Sequence, residues 1–131
     1  MQDYKKDCYR YKYNKLVRDK IPENIASNPG RQAKYRILND DEYLIELNKK
    51  VLEEANEFIE NNSIEELGDL MEVLEAIMKI KKIKMVDVRK KMKDKVAQKG
   101  AFEKRIFLEY VDEESENIEE EKELNKEFRK R

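Results

Sequence analysis

Two apolar stripes of helical period, separated by four polar residues, constrain this chain most. Leu44, Leu47, Val51, Ala55 and Phe58 recur at intervals of three and four, which places them on one side of a helix. Leu67, Leu70, Met71, Leu74 and Met78 repeat the pattern beyond the break "ENNS" at 60–63. So short a break sends the second helix back along the first, and the spacing predicts an antiparallel hairpin. "NDD" at 39–41 caps a helix from about Asp40 to Ile59, and Ser63 caps one from about Ile64 to Ile80.

The flanks extend this into an all-α reading, a small antiparallel helix bundle. Pro22 fits the first turn of a short helix that Pro29-Gly30 ends. A third long helix begins near Met85, carries Met85, Val88, Met92 and Val96, and stops at Gly100. "AKYRIL" (33–38) and "FEKRIFLEYV" (102–111) are expected to pair as a small two-stranded ribbon, since Ile106, Leu108 and Tyr110 alternate. Residues 1–12 read as a loose leader, 13–111 as the domain, and 112–131 as a mixed-charge tail whose apolar anchors are Ile118, Leu124 and Phe128.

Absences narrow the chemistry. The chain has no His, which removes Ser-His-Asp triads and HExxH zinc sites. Cys8 is its one cysteine, so there is no intrachain disulfide and no CxxC site. No apolar run has membrane-spanning length and the N-terminus lacks a signal-peptide core, so the expected location is the cytoplasm. A net charge of −1 exerts no global pull on nucleic acid or membrane. Chemistry falls to Asp, Glu, Lys, Arg, Tyr or a bound metal, and oxygen ligands favour Mg²⁺ or Mn²⁺.

The acids of the two helices then sort by position. On the first, Glu46, Glu53 and Glu60 lie opposite the apolar stripe and are ordinary solvated groups. Glu54 lies at the stripe's edge, and Glu57 shares its face. On the second, Val73, Ala76, Ile77 and Ile80 form a further apolar sector beside the main stripe, while Glu65, Glu72 and Glu75 make a narrow polar strip. Glu66 falls between Val73 and Ile77, and Asp69 between Ala76 and Ile80. Carboxylates inside an apolar sector are expected to be partly buried, at a cost of several kcal/mol unless paired. A capping box with Ser63 accounts for Glu66, and a Lys or Arg partner for Asp69. The alternative is a hard-cation site, with both acid pairs converging across the hairpin.

"EEANE" (53–57) followed by "ELGD" (66–69) resembles the EExxE…ExxD signature of the MazG-like all-α nucleotide pyrophosphohydrolases, a superfamily that includes phosphoribosyl-ATP pyrophosphohydrolase. "YNKLVRDKIPE" (13–23) and "KGAFEKRIFLEYV" (99–111) are similar to the opening and closing segments of one MazG-like subgroup. The resemblance implies a helical homo-oligomer, dimeric or higher. It implies Mg²⁺ held by Glu54, Glu57, Glu66 and Asp69, and hydrolysis of a nucleoside triphosphate between its α- and β-phosphates in nucleotide-pool housecleaning. The chain departs from the pattern in a short gap between Glu57 and Glu66, in Gly68 where Ala is more usual, and in lacking the His associated with phosphoribosyl-ATP pyrophosphohydrolases.

Within that chemistry Glu53 or Glu54 is the candidate proton acceptor. Lys15 and Arg18 of the opening segment, and Lys104 and Arg105 of the closing one, are candidate phosphate ligands. Tyr13, Tyr35 and Phe102 suit stacking on a base or filling a small core equally well. Two readings of other classes remain. Ten Lys or Arg against two Asp between Lys79 and Lys99 suit a nucleic-acid-binding module, without interleaved aromatics. A structural helical module would leave Glu66 and Asp69 neutral to mutation.

Overall fold

The computed structural model describes residues 7–115 and residue 126. Its first helix, α1, is Ile21–Ala26, with Pro22 in its first turn, and the Ser27 N–H closes it on the Glu23 carbonyl. Gly30 follows in the left-handed region, φ 80°, where the chain leaves the Pro29 turn.

Helix α2 is Asp40–Asn61, 22 residues, about 33 Å long. Asn39 starts it by accepting the Glu42 N–H on its side chain at 2.9 Å. Asn62 ends it at φ 51°, a backbone that asparagine tolerates, and donates its N–H to the Phe58 carbonyl. Ser63 then accepts the Glu66 N–H at 3.1 Å and opens α3, Ile64–Lys81. Asn62 and Ser63 alone separate the two helices, and α2 against α3 is the one extensive helix–helix packing among the described residues. Helix α3 ends on Lys82, also left-handed, with the Ile83 N–H reaching back to the Met78 carbonyl at 2.8 Å. Helix α4, Met85–Lys99, stops at Gly100, whose φ of 84° lets its N–H close on the Val96 carbonyl.

The chain divides into two compact units with a boundary between Met92 and Lys93, inside α4. The hairpin belongs to the first. Its centre is small: Leu47 is the buried apolar residue among those described, and Leu44, Val51, Ala55 and Phe58 are half-buried beside it on α2. On α3 the half-buried set is Leu70, Val73, Ala76, Ile77, Met78 and Ile80. Leu67, Met71 and Leu74 remain exposed. The sector holding Glu66 and Asp69 is therefore more sheltered than the stripe expected to dominate. One neighbouring helix covers only one side of α3.

The expected ribbon does not form. No strand occurs among the described residues, and both 33–38 and 102–111 lack regular structure apart from a turn near Phe102. Alternation makes a strand only where it buries one face or pairs an edge. Here Ile37, Phe102, Ile106, Phe107 and Tyr110 all stay exposed. Arg36 is instead drawn to Glu42 by two bonds, of 2.7 and 3.2 Å. The tail anchors Ile118, Leu124 and Phe128 lie outside the described residues.

Candidate metal centre

The antiparallel hairpin sets one acid of α2 against two of α3. Carboxylate oxygens of Glu54, Glu66 and Asp69, one from each, lie within 4.8 Å of one another. Glu54 is buried and the other two are half-buried, as their places in or beside apolar sectors predict. In octahedral coordination at Mg²⁺–oxygen distances, opposite ligand oxygens stand about 4.2 Å apart. The 4.8 Å limit on the three oxygens is somewhat wider, so they are grouped without being drawn in to ligand spacing.

The partners of each acid show how far the protein itself neutralises the cluster. Lys50, one turn earlier on α2, brings its Nζ to 3.6 Å from Glu54 Oε1. Glu54 Oε2 is buried with no hydrogen-bond partner. Leaving a buried acceptor unsatisfied costs about 1–3 kcal/mol, more when it is charged. Glu66 takes a bond from Asn61 Nδ2 at 3.3 Å on Oε1. The capping box is thus half-formed, because Ser63 caps the Glu66 N–H while the Glu66 side chain turns to Asn61. Asp69 Oδ1 accepts from Arg18 Nη2 at 2.7 Å. Asp69 is thus paired with Arg18 while lying in the acid cluster.

Glu57, the fourth expected ligand, is half-buried and stands outside the group of three. Its carboxyl is pushed above the ordinary glutamate range, first by repulsion from Glu54, then by desolvation, with repulsion from Glu66 and Glu53 adding to it. It is placed at the rim of the cluster, close enough to feel its charge. Glu53 is outside the group of three and is held by Lys15 at 3.5 Å and Lys50 at 3.4 Å.

The opening segment contributes two cations to this face. Lys15 reaches Glu53 on α2, and Arg18 reaches Asp69 and Glu72 on α3. Both basic residues proposed as phosphate ligands there are thus engaged by acids. Lys104 and Arg105 belong to the second unit and are exposed at the turn near Phe102. Three participants escaped the sequence reading: Lys50, Asn61 and Glu72. Lys50 was findable, four residues before Glu54 on one helix face. Glu72 was not, because its partner lies 54 residues away.

The arrangement is an all-oxygen, incompletely compensated acid cluster on two helices, suited to a hard divalent cation. No protein-family model matches the chain, and neither a curated protein nor a solved structure matches it.

Proposed function

We propose that this chain is a Mg²⁺-dependent nucleoside triphosphate pyrophosphohydrolase of the MazG-like kind, which releases a nucleoside monophosphate and pyrophosphate. The observation that carries the reading is the convergence of Glu54, Glu66 and Asp69 within 4.8 Å, with one buried oxygen of Glu54 lacking any partner. A cation supplies what that oxygen lacks. Glu54, Glu66 and Asp69 would hold Mg²⁺ or Mn²⁺, with Glu57 at the rim as the fourth ligand. When bound, the ion supplies charge neutralisation for the phosphate oxygens and polarises the anhydride under attack.

The chain's own groups take the remaining tasks. Glu53 lies beside Glu54 on α2 and outside the cluster, so it is the carboxylate assigned to accept the proton of the attacking water. Lys15, already drawn to the acid face through Glu53, is the nearer of the proposed polyphosphate ligands in sequence to that segment's start. The reading includes self-association. Leu67, Met71 and Leu74 on α3 and Ile45, Leu52 and Ile59 on α2 are apolar, in line along their helices, and exposed. It also includes a cytoplasmic, housecleaning role; among the described residues no helix is long and apolar enough to cross a membrane.

The test incubates the purified protein with Mg²⁺ and a panel of ordinary and modified nucleoside triphosphates, together with phosphoribosyl-ATP. Asp69→Asn is the control. Monophosphate and pyrophosphate formed by the wild type and lost in the variant support the reading. Turnover retained in Asp69→Asn removes the acid cluster as the seat of the chemistry, and no turnover under Mg²⁺ or Mn²⁺ removes the activity.

A further inference from the structure

Arg18 was a candidate phosphate ligand, yet its guanidinium is committed elsewhere. Nη1 and Nη2 reach Glu72 Oε2 and Oε1 at 2.8 and 3.1 Å, and Nη2 also reaches Asp69 Oδ1 at 2.7 Å. Two parallel bonds to one carboxylate fix the plane of the guanidinium, which a single ion pair on the surface does not do. The backbone secures the same residue, since the Arg18 carbonyl accepts the Ile21 N–H at 3.1 Å where the chain enters α1. Glu72 lies one turn beyond Asp69 on α3, so helix and side chain together set where Arg18 meets Asp69.

We propose that Arg18 and Glu72 form the outer support of the cation site: Glu72 clamps Arg18, and Arg18 holds Asp69 by one oxygen so that the other is presented to the cation. This rests on the metal reading of the cluster. Arg18 is then a positioning residue and not a phosphate ligand. A cation-binding carboxylate is worth more when a second bond fixes its rotation, because free rotation must be lost on binding. The opposing expectation is electrostatic. Arg18 carries positive charge beside a cation site, so as a mere neighbour it would compete with the ion, and its removal would tighten binding. The two accounts predict opposite signs.

The experiment titrates Mn²⁺ into the full-length protein without nucleotide, following loss of the free-ion paramagnetic resonance signal, with circular dichroism to confirm folding. Arg18→Gln is expected to weaken Mn²⁺ binding about tenfold. Arg18→Lys is expected to weaken it nearly as far, because an ammonium keeps the charge but lacks the planar fork. Glu72→Gln placed in the Arg18→Gln background should add no further loss. Tighter or unchanged binding in Arg18→Gln overturns the proposal, as does wild-type affinity in Arg18→Lys. If Arg18→Gln does not fold, the Lys variant carries the comparison. Absence of Mn²⁺ binding by the wild type overturns the metal reading and this proposal together, whereas binding indifferent to Arg18 overturns the proposal alone.

Discussion

Glu54→Gln separates a cation site from a structural ion pair most sharply. In the metal-free protein the Glu54 carboxylate meets those of Glu66 and Asp69 within 4.8 Å and is drawn to one cation, Lys50, at 3.6 Å. At an effective dielectric of about 20, each repulsion at 4.8 Å is roughly 3.5 kcal/mol and the attraction roughly 4.6 kcal/mol. Two repulsions exceed one attraction by about 2 kcal/mol. Solvent at the half-buried partners and the Arg18 bond to Asp69 reduce this, while relief of the desolvated Oε2 adds to it. Neutralising Glu54 without changing its size should therefore stabilise the metal-free fold by about 1–2 kcal/mol, a rise in Tm of about 4–8 °C. The assay is thermal unfolding at pH 7 in chelator and again in excess Mg²⁺. Wild type should gain stability from Mg²⁺, since a ligand that binds only the folded state stabilises it. Glu54→Gln should start higher and gain little. A variant that melts below wild type in chelator yet keeps the full response to Mg²⁺ would refute the reasoning, leaving Glu54 as the structural partner of Lys50.

Glu57 carries a pH signature. Its folded pKa lies above its unfolded value, so the fold binds the proton more tightly, and metal-free stability falls as pH rises from the ordinary glutamate range through the raised value. The stabilisation gained by Glu57→Gln should thus be near zero at pH 4 and grow toward pH 7, and a difference that does not change with pH would show that Glu57 does not feel the cluster. Gly68 lies in α3, and a Cβ built there meets nothing within 4 Å. Gly68→Ala should raise stability by about 1 kcal/mol through helix propensity, read by denaturant midpoint; destabilisation would mean that another chain or a substrate packs against this position. Met71→Asp places a charge in the exposed Leu67, Met71 and Leu74 stripe. Under the proposed self-association through this face it should lower the mass seen by light scattering, at about 1.5–3 kcal/mol for a methionine that association would bury, and an unchanged mass would exclude this face from self-association.

How much of this was legible in the sequence depended on the range of the interaction. The ends of α2, α3 and α4 were readable because each is set by a local device: the side chains of Asn39 and Ser63, and the positive φ of Gly100. The ribbon misled because alternation at 102–111 is also local, while a strand needs a partner that local pattern cannot supply. Which stripe of α3 would be sheltered was likewise undetermined. Two apolar sectors adjoin, and only the placement of α2 chose Val73, Ala76, Ile77 and Ile80 over Leu67, Met71 and Leu74.

The site divides along the same line. Glu66 and Asp69 stood out because each breaks an apolar sector, so their cost is written in the periodicity of their own helix. Glu54 was marked by its place at the stripe's edge, and its burial followed from the hairpin. What offsets those costs is not written there. Asp69 is held by a residue 51 positions away, and that residue by Glu72, which shares a strip with Glu65 and Glu75 and differs from them in no local respect. An acid cluster can thus be found in a sequence by what it costs, while its supports depend on tertiary placement. Lys50, Asn61 and Arg18 each answer one carboxylate oxygen of the cluster, and Oε2 of Glu54 is buried with no hydrogen-bond partner. On the proposed reading a cation would answer that oxygen, and Glu54→Gln is the substitution that separates this from a structural role.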